Sequence, residues 1–495
     1  MLLLYRDLKT SMEQGGPNSS EFYKLYNNEQ LTSAQDSDLG TSISGVHVAS
    51  VGQADDTALL SNDIHQLQRL LDLSLLYCQK YQVQLSADKT KLLVFSRKET
   101  DYTKYAKLLS PVHIGETTIP FVHTAEHVGV LRSVTDNLPH IYQRISYHKK
   151  ALGQILTMGM ARKHRASPIA SLRAEVIFAT PVLYSGMASL LLSRSEIDTL
   201  AQHVKETTQN LLKLHSKTPE PVIFFLAGRL PGEAQLHLKQ LSLFGMICRL
   251  PGSILHNIAV QLLTNHSQSS KNWFSDIRNI CFQYNIPHPL TLLHDPPSKE
   301  VFKRLCKTNV TDFWQKKLRD HSKKLEEKSL RYFKPQFMSL SKPHPMLSWA
   351  STSYQVNKCV VVSRMISGRF RCGSLLRHFF KDVSGLCDLC GEEVEDLPHI
   401  LLPRCPCLLE HAQQLLKFAF DALSSSEQAT TIFTNIIYSE DDQKKVQLFL
   451  DPSVIPEIIF ENQMKNNDIL HLFLNITTTW CYSMNRTRNK LLGKY

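Results

Sequence analysis

No stretch of this 495-residue sequence is both long enough and apolar enough to read as a membrane span. The uncharged window from Val176 to Ser193 is interrupted by Pro181, Ser185, Gly186 and Ser189, and it reads as a buried helix pair. Met1-Leu2-Leu3-Leu4 meets Arg6 and Asp7 before an apolar leader core can build up, so no secretory signal is expected. A disulfide framework is equally missing. Most of the 11 cysteines stand singly, which fits a reducing compartment. There is no internal repeat and no long low-complexity tract.

What remains is globular. Hydrophobic residues make up 42% and charged residues 20%, enough for roughly two to four domains with ordinary cores. The net charge of +11 suits a polyanionic partner without requiring one.

Residues 50–63, SVGQADDTALLSND, place Asp55 and Asp56 side by side between short β-prone runs. Adjacent carboxylates repel, so holding them together ordinarily calls for a cation. The flanking Val46-His47-Val48 and Leu59-Leu60 make the pattern that of a hairpin presenting acids at its tip. A solvated DD turn is the plainer alternative. Apolar residues at helical spacing then predict a helix over 63–80, followed by a turn at Ser86-Ala87-Asp88 and a strand from Lys91 to Phe95. A second strand–turn unit closes near Ser133, and the mixture predicts an α+β layer.

From about 136 to 335 the spacing turns helical, with an N-cap expected at Ser195 and a proline-rich connector over 283–300. Residues 302–334 are rich in Lys and Arg with Phe313, Trp314, Tyr332 and Phe333 interleaved. Such a face can track phosphates while its aromatics stack on bases; the alternative is a solvated helix with its aromatics in the core.

Residues 385–408, GLCDLCGEEVEDLPHILLPRCPCL, carry Cys387-x2-Cys390, then His399, then Cys405 or Cys407. Four soft or borderline donors at this spacing suit tetrahedral Zn2+, and Gly391 supplies the tight turn of a knuckle. Cys405 is the preferred fourth ligand, and the closed set points to a structural site. Arg364, Arg369, Arg371, Arg377 and Lys381 just upstream suggest a nucleic-acid contact beside it.

In their order, these pieces resemble the reverse transcriptase of non-LTR (LINE-type) retrotransposons. EQGGPNSSEFYKLYNN at 13–28 looks like that family's template- and nucleotide-positioning motif, and QADD at 53–56 like its metal-binding turn, with Gln53 where an aromatic is usual. SADKTKLLVF resembles the Lys-bearing motif that follows, and HVGVLRS at 127–133 the primer-grip hairpin. PGEAQLHLKQLSLFGMICR and the cysteine–histidine cluster are similar to its later helical and C-terminal regions, so the resemblance covers nearly the whole chain.

The resemblance implies nucleotidyl transfer from an RNA template between two Mg2+ ions about 3.5–4 Å apart. It makes Asp55 and Asp56 the metal ligands and Lys89 the charge near the triphosphate. Gln14, Gly15 and Gly16 would position nucleotide and template, and Val128 and Gly129 would form the primer grip. RNA and DNA are the implied partners, with no membrane, in nucleus or cytoplasm. The family takes a further aspartate from a strand well before the Gln-Gly pair. Asp7 is a poor candidate, because the six residues between it and Gln14 reach only about 20–25 Å when extended. No counterpart of the family's endonuclease is found either. The expectation is therefore a truncated, catalytically impaired reverse transcriptase of α+β class. Its parts are a partial right-hand polymerase palm over 1–135, a mostly helical thumb and linker over 136–335, and a C-terminal helical region over 336–495 with a zinc knuckle. A nucleic-acid-binding module or a non-functional remnant is the alternative.

Overall fold

A computed structural model describes residues 19–53, 56–95, 109–157, 167–265, 271–326, 329–380, 382–402, 404–464 and 468–493. Gln14, Gly15, Gly16, Asp7, Asp55 and Lys381 lie outside these residues. The described chain is mostly helical, with short antiparallel hairpins confined to its first third, which is compatible with an α+β class. Packing gathers it into two compact units. One comprises Met1–Arg144, Tyr184–Glu196 and His237–Cys306; the other Ile145–Leu183, Ile197–Leu236 and Lys307–Tyr495.

The first unit begins with helix α1 (Ser19–Gln35), hairpin β1–β2 (Thr41–Ile43, Val46–Val48), hairpin β3–β4 (Ser50–Gln53, Asp56–Leu59) and helix α2 (Ile64–Lys80). Asp63 caps α2 by accepting from the Gln66 N–H at 2.9 Å, where the sequence pattern places the start. Leu70 and Leu71 on α2 are buried, the first with Ala34, Leu39 and Ala49 and the second with Leu92, Val112 and Ile119. The two helices are also joined by tyrosines: Tyr26 donates to the Tyr81 carbonyl at 2.8 Å, and Tyr77 to the Tyr26 carbonyl at 2.7 Å. Gln35, the last residue of α1, reaches β2 and the residue after it, donating to the His47 carbonyl and accepting from the Ala49 N–H. An isolated two-stranded ribbon is marginal in water, so these contacts are what hold the hairpins.

Two further hairpins follow, β5–β6 (His113–Ile114, Thr117–Thr118) and β7–β8 (Thr124–His127, Val130–Ser133). Val128 and Gly129 join β7 to β8 with φ of 51° and 68°, the two left-handed residues of a type I′ turn. Among the described residues the ribbons remain four separate two-stranded sheets rather than one layer. The strand expected over Lys91–Phe95 is reduced to one parallel bridge between Leu92 and Phe121. Its partner segment contains Pro120, which has no N–H with which to carry the ladder back toward Thr90.

Three helical expectations shift. The helix Arg194–Leu211 is capped by Ser193 rather than Ser195: the Glu196 N–H donates to Ser193 Oγ, and the Glu196 carboxylate accepts from the Ser193 N–H at 2.6 Å. The proline-rich connector contains a short helix, Pro289–His294, with Leu292 and Leu293 buried, because proline is well placed at the first helical position. The window Val176–Ser193 is not a buried helix pair. A π-turn over Glu175–Ala179 exposes Val176, Ile177 and Phe178, and burial resumes at Ala179, Leu183, Tyr184 and Met187.

The second unit is built around Glu220–Ala227, in which Pro221 to Ala227 are all buried, and the terminal helix Asp468–Leu491. The former ends at Gly228, with φ 59°. A Cβ there would stand 2.1 Å from the Lys342 carbonyl carbon, so the close chain crossing requires glycine. Phe449 stacks on Trp480 of the terminal helix, ring centres 4.4 Å apart. No helix among the described residues is long and apolar enough to cross a membrane.

Candidate metal centre

Three local devices bring the cysteine–histidine segment together. A β-bridge pairs Leu386 with Val394, and the Cys387 N–H donates to the Glu393 carbonyl at 2.8 Å. Between these arms the chain reverses at Gly391, whose φ of 71° suits a residue without Cβ and whose N–H bonds the Cys387 carbonyl. The one-and-a-half-turn helix Leu397–Leu401 then begins at Asp396, whose carboxylate accepts from the His399 N–H at 2.8 Å. That cap turns the buried His399 ring back toward the cysteines.

The result is one four-donor group. The ligand atoms of Cys387, Cys390, His399 and Cys405 all lie within 4.8 Å of one another, and the group can hold a metal ion. Cys387 Sγ and Cys405 Sγ are 3.9 Å apart, and Cys390 Sγ and His399 Nε2 3.5 Å. With bonds of about 2.3 Å to sulfur and about 2.0–2.1 Å to nitrogen, a tetrahedral ion separates two sulfurs by about 3.8 Å and sulfur from nitrogen by about 3.6 Å. The spacings fit. His399 Nδ1 lies 3.1 Å from Glu393 Oε2 and donates to it, which leaves the Nε2 lone pair facing the cysteines. Cys407, the competing ligand, is exposed, and its thiol bonds the Leu389 carbonyl instead.

The thiols need a cation. Burial pushes Cys405 up to about 12 and raises Cys387 as well. Burial also opposes ionisation of Cys390, but the backbone N–H groups of Glu392 and Glu393 outweigh it and bring that thiol down to about 7. A coordinated divalent ion reverses the penalty on the other two by supplying charge to the thiolates.

Residues that sequence spacing did not single out fasten this group to the unit's core. Glu395 is buried and meets Arg488 of the terminal helix through two contacts of 2.6 and 2.7 Å, while also accepting from the Gly373 N–H. Trp480 Nε1 donates to the Leu401 carbonyl at 2.9 Å. The acids crowded between Cys390 and His399 were the visible signal for Glu393 and Glu395; their partners are too distant in sequence to be read. Upstream of the group in sequence, Arg364, Arg371 and Arg377 are exposed and Arg369 is half-buried.

The residues expected at a polymerase centre are more scattered. Asp56 is exposed and opens β4, paired with Gln53. Lys89 is exposed in a turn whose Lys89 and Thr90 N–H groups bond the Ser86 carbonyl. Among the described residues no hydrogen bond or ion pair joins Asp56 to Lys89. Val128 and Gly129 form the β7–β8 turn, and the Gly129 carbonyl accepts from Arg144. Along Lys299–Glu326, Phe302, Cys306, Val310, Trp314, Leu318 and Ser322 are buried in a stripe of four-residue spacing. Trp314, Tyr332 and Phe333 are therefore core residues and unable to stack on bases, whereas Lys303, Arg304, Lys307, Lys316, Lys317, Lys323 and Lys324 are exposed.

No protein-family model matches the chain, and no curated protein matches it.

Proposed function

We propose that this chain is part of a non-LTR retrotransposon reverse transcriptase, an RNA-directed DNA polymerase, and that it is impaired in polymerisation on its own. The observation that carries the reading is the β3–β4 hairpin. Its register sets Gln53 opposite Asp56, so the first and last residues of the QADD motif pair across two antiparallel strands. The lysine turn and the two-residue β7–β8 turn follow in the order that the sequence resemblance requires.

On this reading Asp55 and Asp56 hold Mg2+ when the site is complete, and Lys89 stabilises charge leaving with pyrophosphate. Two ions need more carboxylates than this pair supplies, and Asp7 is too close to Gln14 in sequence to stand in for a separate palm strand. Misplaced reactants alone cost about a hundredfold in rate. Primer extension on an RNA template with Mg2+, with Asp55→Asn as control, tests this. Incorporation lost in the variant would establish the polymerase and overturn the impairment. Incorporation equal in both proteins would overturn the assignment of Asp55.

The ion at Cys387, Cys390, His399 and Cys405 is assigned as structural Zn2+, because three thiolates and one imidazole leave no open position. RNA and DNA are the partners, and the site of action is intracellular, at nucleic acid. One observation favours a second reading, a binding module without polymerase activity: the exposed lysines and arginines along Lys299–Glu326. RNA affinity measured against salt separates the two. A log–log slope near zero would remove the electrostatic grip on which the binding module depends.

A further inference from the structure

Solvent reaches few of this chain's sulfurs. Of its 11 cysteines nine are buried, Cys390 is half-buried and Cys407 is exposed. The two accessible ones lie against each other. The Cys407 thiol donates to the Leu389 carbonyl at 3.4 Å. Across a trans peptide that oxygen stands about 2.8 Å from the following Cα, which puts Cys407 Sγ within about 6 Å of Cys390 Cα.

Cys407 gives nothing to the four-donor group, which Cys387, Cys390, His399 and Cys405 complete. Cys387, His399 and Cys405 are buried, so Cys390 is the ligand that solvent touches. The fold therefore sets a spare thiol beside the accessible ligand. The two sulfurs suit different steps. A ligating Cys390 is held as a thiolate by its ion, and the thiolate is the form that attacks a hydroperoxide. Cys407 is uncommitted to the ion and available as the second nucleophile. An oxidised thiol with such a neighbour closes to a disulfide, whereas one without it goes on to sulfinic acid.

We propose that Cys390 and Cys407 are a peroxide-sensitive pair that releases the metal ion reversibly. In the first step Cys390 Sγ bonds to one peroxide oxygen, the O–O bond breaks, and the other oxygen leaves as hydroxide. Cys390 is then a sulfenic acid. In the second step Cys407 Sγ bonds to Cys390 Sγ, the S–O bond breaks, and the hydroxyl departs as water with the proton of the Cys407 thiol. The two sulfurs lose two electrons, and the peroxide takes both. The disulfide removes one donor, leaving the set one short of the four that structural zinc requires. Cys387 and Cys405, whose sulfurs are 3.9 Å apart, are buried away from the oxidant.

The inference rests on the metal reading, and the zinc content of the untreated chain checks that reading separately. The full chain, loaded with Zn2+, is treated with hydrogen peroxide. Released zinc is followed with a chromogenic chelator, and disulfides are mapped by peptide mass spectrometry. Wild-type protein should release its ion, carry a Cys390–Cys407 crosslink as its main disulfide, and rebind zinc after dithiothreitol. Cys407→Ser should bind zinc as the wild type does before treatment. After peroxide it should carry Cys390 sulfinic acid and regain about fivefold less zinc on reduction. A main disulfide within Cys387, Cys390 and Cys405, zinc retained under peroxide, or equal recovery in wild type and Cys407→Ser would each overturn the proposal. An untreated chain that takes up no zinc would overturn the metal reading, and this proposal with it.

Discussion

The cysteine–histidine group and the Glu175 network both hold polar side chains away from water, by opposite means. The first draws its four donors from residues 387 to 405, within one short turn-and-helix segment. The second draws on His148, Glu175, His203 and Arg229, which meet only when several separate helices pack. Buried thiols can be made tolerable by an ion from outside; the buried carboxylate is made tolerable by a guanidinium and a neighbouring imidazole from inside. A local site depends on its ligand, and a dispersed one on the fold. The difference can be tested.

Metal removal should have the largest effect. Stripping the ion with a chelator, or replacing Cys390 by Ser, should open the 386–408 segment to protease and alter Trp480 fluorescence, since Trp480 is tied to the Leu401 carbonyl. Structural zinc sites of this kind contribute apparent binding energies of about 10–16 kcal/mol in isolated peptides, so local order should not survive its loss. Unchanged proteolysis after verified metal removal would place this segment's stability in its packing, like that of the Glu175 network.

Breaking the Glu175–Arg229 pair comes next. Arg229→Met should lower unfolding stability by about 3–5 kcal/mol, because it strands a buried carboxylate. Glu175→Gln with Arg229→Met should recover part of that loss in denaturant midpoints. A single-variant loss below about 1 kcal/mol would mean that water reaches the pair.

Acid should discriminate the two sites as well. The His203 imidazole falls from its ordinary 6.5 to about 4 on folding, through burial first and then the nearby His148 and Lys149, with Glu206 and Glu175 opposing. Between those values the unfolded chain takes up a proton that the folded chain refuses. This contribution is complete above pH 6.5, declines as the pH falls, and is exhausted near pH 4, a difference of about 3 kcal/mol. Glu175, held below its usual range, adds a further loss in the same direction at lower pH. Denaturant midpoints from pH 7 to 4 measure this, and His203→Phe should flatten the upper part of the curve.

The smallest expected effect is that of Cys407→Ser. Its thiol is exposed and outside the four-donor group, so one ion per chain and a stability change within about 0.5 kcal/mol are expected. Loss of the ion in this variant, with retention in Cys405→Ser, would exchange the roles of the two cysteines.

What was legible in the sequence follows the same division. The α2 helix, the short runs flanking QADD, and the Cys387–Cys390–His399 spacing all depend on neighbours a few residues away. Periodicity and turn chemistry report such neighbours directly. The strand at Lys91–Phe95 was misjudged because its extent depended on pairing with a segment around Phe121, far along the chain. The aromatics of the basic helix were ambiguous because an interleaved pattern does not say which face is covered. Burial of Trp314, Tyr332 and Phe333 decided that against base stacking.

By itself, then, the sequence determined where donors, caps and turns stand along the chain, and from these a metal-holding segment in a largely helical protein. Tertiary structure alone decided that Cys405 and not Cys407 completes the group, and that Glu395 is anchored by Arg488. It also brought two histidines 55 residues apart, His148 and His203, within hydrogen-bond distance of one another. The reason is physical. Spacing along the chain encodes only what a few bonds can bring together, whereas burial and hydrogen-bond direction depend on groups that come near only after the core has formed.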